Sequence, residues 1–193
     1  AAETLTKETR RLQGLFSDLR NLTRLDIAER LHRSSVSVDR VCADVFSRHR
    51  PDAAAAGVHM QLRASSAAVV SDPRLIEMIV ENLVVNAIRY TPTGGSITVQ
   101  VRRQRHEVVV TVRDTGIGIA PKHRERIFDR FYRVDEARQR ATGGSGLGLS
   151  IARRAAGELG GHIDVTSELG EGSLFRLTIP DHAEAANGAT GPG

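Results

Sequence analysis

Two glycine-rich loops on either side of a basic, aromatic-bearing segment constrain this chain more than any other feature. The stretch reads Asp114-Thr-Gly116-Ile-Gly118-Ile119, then Phe128-Asp-Arg-Phe131-Tyr132-Arg133, then Gly143-Gly-Ser-Gly146-Leu-Gly148-Leu149. Glycine tolerates positive φ and lets the backbone approach a bound group closely, so two such loops close together in sequence imply one ligand held from both sides. Either loop alone could equally make a tight turn; the pair argues for a site. After the second loop, Leu147 to Leu159 is apolar and alanine-rich with Arg153 and Arg154, which predicts a helix. The start of a helix presents unpaired N–H groups and the positive end of the dipole, which suits phosphate. Before the first loop, a strand-like run ends in Asp114, a carboxylate able to accept from an exocyclic amino group such as that of adenine. The ligand these features imply is a nucleotide.

Length and composition narrow the setting. At 193 residues the chain suffices for one core-bearing domain plus an appendage and is short for two. No apolar run approaches the ~20 residues that span a bilayer, and no signal-peptide pattern precedes the first charges, so a soluble piece is expected. The chain begins Ala-Ala-Glu rather than with Met, as a segment of a longer protein with membrane spans would. The only cysteine, Cys42, has no partner in the chain, which excludes an internal disulfide and fits a reducing, cytoplasmic setting. Lys and Arg number 27 against 23 Asp and Glu, a net +4. Part of the excess lies in 122–140, where seven basic residues face four acidic ones. A nucleic-acid patch would need stacking aromatics and a reading motif; such aromatics are scarce and no reading motif appears, so a phosphate-handling role outweighs a nucleic-acid partner.

Along the chain, Leu5, Leu12 and Leu19 recur every seven residues with Leu15, Leu22 and Leu25 offset by three, a short heptad seam. It suits an intermolecular bundle and an amphipathic helix on its own domain about equally. A polar linker follows over 27–35. From Val36 the pattern predicts a strand to Val38 and a helix from an N-cap at Asp39 to about His49, broken by Pro51-Asp52. Val58 to Arg63 and Ala67 to Ser71 are short strands. Asp72-Pro73 opens the longest helix, to about Tyr90, with apolar residues at 75, 79, 83, 87 and at 76, 80, 84, 88. At about 100° per residue, Asn82, Asn86, Arg89 and Tyr90 fall at one edge of that stripe and border a pocket, whereas Glu81 points away from Asn82. Alternation at Ile97, Val99, Val101 and at Val108, Val110, Val112 predicts an antiparallel pair. Val134 to Gly144 is aperiodic and expected to be mobile. His162 to Thr166 and Ser173 to Ile179 are strands around a turn, and 181–193, rich in Ala and Gly, is expected to be disordered.

With these residues in view, the chain from about Val36 to Pro180 resembles the ATP-binding domain of bacterial two-component sensor histidine kinases. Four blocks follow in the family's order. Glu81-Asn-Leu-Val-Val-Asn86-Ala-Ile-Arg89-Tyr90-Thr91 is similar to its asparagine box, Asp114 to Ile119 to its first glycine box, Phe128 to Arg133 to its phenylalanine box, and Gly144 to Leu149 to its second glycine box. The resemblance implies an α/β (α+β) two-layer sandwich, a mixed β-sheet covered on one face by helices, with ATP and Mg²⁺ under a flexible lid. It implies that Asn86 ligates Mg²⁺ with Asn82 assisting, that Arg89 reaches the phosphates and that Tyr90 packs near the adenine and ribose. It likewise makes Asp114 the adenine-reading carboxylate, beside Gly116, Gly118 and Ile119. Gly144, Ser145, Gly146, Leu147, Gly148 and Leu149 would line the phosphates, and Arg133 would reach the terminal one. Asn82, Asn86, Arg89 and Arg133 are thereby the expected catalytic set.

Related ATPases of the wider superfamily carry a glutamate four residues before the metal asparagine to activate water; here that position is Asn82, and an amide cannot act as a general base. Transfer to another acceptor is therefore expected over hydrolysis. None of the seven histidines (32, 49, 59, 106, 123, 162, 182) has the phosphoacceptor context of the family, and His123 and His162 read as surface or turn residues. Residues 1–26 resemble only the second helix of a dimerisation hairpin. The expected partners are the phosphoacceptor dimerisation domain of a homodimeric parent kinase in the cell membrane and its response regulator. Two other functions stay open, a regulatory nucleotide-binding module without transfer and an ATP-hydrolysing clamp.

Overall fold

The computed structural model describes residues 31–134 and 145–181. The alternating valines form the hairpin β4 (Ser96–Gln104) and β5 (Glu107–Asp114), with Val99 opposite Val112 and Val101 opposite Val110. β7 (Gly172–Pro180) pairs antiparallel with β5 on one side and with β6 (His162–Glu168) on the other. β2 (His59–Ala64) adds in parallel to β4, completing a mixed sheet of order β2-β4-β5-β7-β6. Because side chains alternate across a strand, Ile97, Val99, Val101, Val110, Val112, Leu177 and Ile179 all face one side and are fully buried, while Arg102, Arg113 and Arg176 face the other and are exposed. Three helices cover the apolar side: α1 (Val38–Ala55), α2 (Pro73–Tyr90) and α3 (Gly148–Glu158). The expected two-layer sandwich with a mixed sheet is borne out. A second, two-stranded antiparallel sheet joins β1 (Ser34–Ser37) to β3 (Ala68–Ser71).

The central helix, α2, begins as its sequence dictates. Asp72 is the N-cap, its Oδ1 accepting from the Arg74 N–H at 3.0 Å, and Pro73 occupies the first turn where a missing N–H costs nothing. Ile76, Ile79, Val80, Leu83, Val84 and Ala87 form its buried stripe. Buried Asp72 also accepts from the backbone N–H of His32 (3.0 Å) and from Arg74 Nη2 (2.9 Å), which fastens the incoming chain to the head of this helix.

Several boundaries differ from the sequence expectation. The strand before α1 is Ser34–Ser37, so Ser34 and Ser35 belong to β1 rather than to a linker, and the N-cap of α1 is Ser37. The Asp39 carboxylate accepts instead from the Ala67 N–H at 3.1 Å. Pro51 does not end α1, which runs to Ala55. An interior proline costs about 3 kcal/mol or more. The last turn offsets this by burying Ala53 against the core and closing with two bonds, Gly57 N to Ala54 O at 3.0 Å and Val58 N to Ala53 O at 2.9 Å. That pattern requires the left-handed φ of +68° at Gly57. Asp181, counted with the tail, is tied to the domain through the Val70 N–H (3.2 Å) and Arg103 Nη2 (2.6 Å). The heptad seam, the remainder of the tail and nearly all of the stretch between Val134 and Gly144 lie outside the described residues.

Candidate nucleotide-binding site

The carboxyl-terminal half of α2 touches both glycine loops. Asn82 donates its amide hydrogen back to the Met78 carbonyl (2.8 Å), which turns its Oδ1 toward Gly148; a Cβ on Gly148 would lie 2.6 Å from that oxygen. At the helix end, the Tyr90 carbonyl accepts from the Ile117 N–H at 3.2 Å. A Cβ on Gly116 would come within 2.5 Å of the same carbonyl oxygen. Asn86 lies between these two contacts, half-buried, and its amide makes no hydrogen bond to any described residue. Arg89 and Tyr90 follow on the last turn, both half-buried. The asparagine block and both loops, apart in sequence, thus meet along one helix edge. Gly144 lies outside the described residues.

Asp114, at the end of β5, is only 6% exposed. Its Oδ1 accepts from two backbone N–H groups, Gly116 at 2.8 Å and Ser173 at 3.1 Å. Burial raises its pKa above the ordinary carboxylate value, opposed by those two bonds and by nearby Arg113. Among the described residues no hydrogen bond reaches Oδ2. A carboxylate pinned by one oxygen leaves the other to accept from a ligand.

The turn between β6 and β7, read in the sequence only as a turn, proves to be the support of this loop. Ser167 Oγ accepts from the Ile119 N–H (2.8 Å) and donates to the Gly172 carbonyl (2.8 Å). Gly170 N–H donates to the Ile117 carbonyl (2.8 Å), and a Cβ on Gly172 would lie 2.1 Å from the Asp114 carbonyl oxygen. The signal was present in Gly170-Glu-Gly172-Ser173, two glycines and a serine, but nothing local to it says which loop it meets.

The aromatic block is anchored by Phe128. Its ring meets Phe175 edge-on at 6.5 Å between centroids and lies under the Arg153 guanidinium at 5.3 Å. Phe131 N–H then donates to the Gly146 carbonyl at 3.0 Å, which joins this block to the second loop and brings Arg133, two residues on, near it in the chain. Leu147 N–H donates to Ser145 Oγ (3.0 Å), and the N-cap of α3, Leu147, offers no side-chain cap. Among the described residues, the first-turn N–H groups of α3, beginning at Gly148 and Leu149, therefore have no side chain to satisfy them, the state in which a helix start receives phosphate.

Comparison with known proteins decides the family. Residues 71–183 match the model of the histidine kinase-, DNA gyrase B-, and HSP90-like ATPases. The chain belongs to this family. The relatives it is similar to are sensor histidine kinases, as the four blocks implied. SenX3 of Mycobacterium tuberculosis is 42% identical over 186 residues, 95% of this chain and 45% of that one. RppB of Synechocystis is 37% identical over 185 residues, 92% of this chain and 40% of that one. Among solved structures, full-length ShkA in complex with AMPPNP superposes with a TM-score of 0.77 at 29% identity, over 88% of this chain and 35% of that one. The chain thus spans less than half the length of these relatives.

In this ATPase domain the acid next to Asn82 is turned away from the site. Glu81 accepts from His49 Nε2 at 3.1 Å and from Arg48 Nη1 at 3.3 Å, both on α1. The hydrogen bond from His49 holds the Glu81 pKa below its ordinary value, against burial, and the same bond raises that of His49, which also touches Asp52 at 3.3 Å. A histidine with a raised folded pKa contributes stability that is complete below its unfolded value of about 6.5 and is lost as pH rises through the folded one. A carboxylate with a depressed pKa contributes above about 4.3 and loses it as pH falls through its folded value. The pair should therefore stabilise the fold most between about pH 4.3 and 6.5. In Glu81→Gln, an NMR titration should find the His49 pKa lower than in the unaltered chain; an unchanged value would remove Glu81 as its partner.

Proposed function

We propose that this chain is the Mg-ATP-binding catalytic domain of a sensor histidine kinase, one that passes the γ-phosphoryl group to a histidine supplied by a dimerisation domain, for onward transfer to a response regulator. The observation that carries transfer over hydrolysis is the state of the acids on α2. The position four residues before Asn86 is Asn82, whose amide is occupied by its own helix, and both acids of α2 are held from α1, Glu77 by Arg48 and Glu81 by His49 and Arg48. The helix that borders the site therefore offers no carboxylate to activate water. The base that takes the acceptor's proton would come from beside the acceptor.

The residues present fit a magnesium ion. The Asn86 carbonyl is a hard oxygen donor whose amide is not engaged by the described residues, and among those residues no group of three or more His, Cys, Asp or Glu forms a cage. The ion would then rely on phosphate oxygens for further ligands, and when bound it neutralises their charge. On this reading Asp114 Oδ2 accepts from the adenine amino group, the α3 amino end and the second loop receive the phosphates, and Arg89 and Arg133 steady the charge that develops as the bond to the leaving ADP oxygen breaks and the bond to imidazole nitrogen forms. The chain would be a cytoplasmic portion of a homodimeric membrane parent; no described helix is long and apolar enough to cross a membrane.

The test is phosphotransfer in trans. Incubated with labelled ATP and Mg²⁺, the chain alone should acquire no acid-labile phosphate on histidine. Given the dimerisation hairpin of its parent kinase it should label that hairpin, slowly, because a separate acceptor lacks the roughly millimolar effective concentration of a short tether. Label on His123 or His162 of the isolated chain would overturn the proposal, and nucleotide binding with no transfer to the hairpin would leave a regulatory module in its place.

A further inference from the structure

The segment Phe131-Tyr132-Arg133 is held by contacts that neither the core nor the nucleotide site explains. Tyr132 is half-buried; its hydroxyl lies 2.6 Å from His123 Nδ1, the two rings 6.1 Å apart at 44°. The Arg126 guanidinium covers the Tyr132 ring at 4.2 Å, a cation–π contact. The preceding residue, Phe131, has a left-handed φ of 62°, which side-chain-bearing residues rarely adopt, and its ring is 68% exposed, so burial of that ring does not hold the conformation. What holds it is the Phe131 N–H bond to Gly146 on one side and Tyr132 on the other, whose own N–H reaches the Asp129 carbonyl at 3.3 Å.

His123 is in turn fixed to the first glycine loop. It closes the short 3-10 turn Pro121–His123, with its N–H on the Ala120 carbonyl at 2.9 Å. The adjacent Arg124 reaches back to the Ile119 carbonyl (3.4 Å), and Ile119 N–H is bound by Ser167 Oγ. Hydrogen bonds, together with the short covalent steps between their residues, therefore link the loop after Asp114, through His123, to the residue immediately before Arg133.

We propose that the His123–Tyr132 hydrogen bond, with Arg126 over the ring, is a positioning device that sets Arg133 toward the terminal phosphate. This rests on the assignment of Arg133 to that phosphate. A flexible arginine is selective for a third phosphate only if its backbone is fixed, because small displacements of a charge-bearing group cost much of its effect. His123 and Tyr132 act through Arg133 and touch no substrate themselves.

The readout is the preference of the full chain for ATP over ADP, measured by calorimetry in Mg²⁺, since only ATP carries the phosphate that Arg133 would reach. Arg133→Ala tests the underlying assignment and should reduce the preference about ten- to a hundredfold. Tyr132→Phe, which removes the hydroxyl and keeps the ring for Arg126, should reduce it about three- to tenfold with ADP affinity retained. His123→Ala should do the same, and His123→Asn, whose amide can replace Nδ1, should restore it. A merely structural bond would lower the melting temperature and weaken both nucleotides together. If Arg133→Ala reduces the preference while Tyr132→Phe leaves it unchanged, the positioning role is wrong and the assignment of Arg133 stands. If Arg133→Ala itself has no effect, the assignment fails and the inference with it.

Discussion

Replacing Asp114 with Asn should weaken ATP binding about ten- to a hundredfold and erase or invert the preference for ATP over GTP. The geometry makes the direction specific. Oδ1 is pinned by the N–H groups of Gly116 and Ser173, so the carbonyl oxygen of an asparagine would take its place and the NH₂ group would stand where Oδ2 stood. Adenine would then meet a donor with its own donor, whereas guanine presents a carbonyl at the same ring position and would be accepted. The loss should not arise from unfolding. Burial raises the Asp114 pKa, so the folded state holds this proton more tightly than the unfolded one, and stability falls as pH rises from the unfolded value through the folded one. Above that range the buried charge is a cost that a neutral amide of the same shape removes. Competition calorimetry with both nucleotides, beside a thermal melt, checks each half. Equal ATP affinity in mutant and unaltered chain would dismiss Asp114 as the reader of the base.

Gly118→Ala should be more damaging still, with nucleotide binding lost by more than about a hundredfold and the fold destabilised by roughly 2–5 kcal/mol. Gly118 has a φ of +68°, and a Cβ there would lie 1.8 Å from the Glu168 carbonyl oxygen and 2.7 Å from its carbon. Both obstacles are backbone, so relief requires the loop to part from the β6–β7 turn. That would break the bonds from Gly170 to Ile117 and from Ile119 to Ser167. Gly170→Ala is the control: its φ of +89° is as unfavourable, yet a Cβ there meets nothing within 4 Å. It should cost only the left-handed strain of about 1–2 kcal/mol and leave ATP binding in place. Equal melting temperatures and equal affinities for the two variants would show that the contact with Glu168 does not hold the loop.

What could be read without coordinates was whatever is encoded by neighbours in sequence. Asp72-Pro73 and the 3.6-residue stripe behind it specify α2 because a cap and a face are local properties, and the alternating valines specify the β4–β5 hairpin because its turn is short. The two glycine loops and Asp114 suggest a nucleotide site by residue type and order, and the family resemblance adds Asn82 and Asn86 to that expectation. Tertiary structure decided what depends on meetings across the chain. The strands 59–64 and 68–71 are neighbours in sequence but enter different sheets, because β2 pairs in parallel with β4 while β3 pairs with β1. α1 outlasts Pro51 because Ala53 is buried and the left-handed Gly57 closes the helix end, gains that outweigh a local penalty. Asn82 meets Gly148, the β6–β7 turn carries the first loop, and His123 binds Tyr132 only because packing the apolar faces brings these segments together. A hydrogen bond between residues far apart in sequence leaves no periodicity behind, so the donors and acceptors that hold this site were visible as residues and became partners only in the fold.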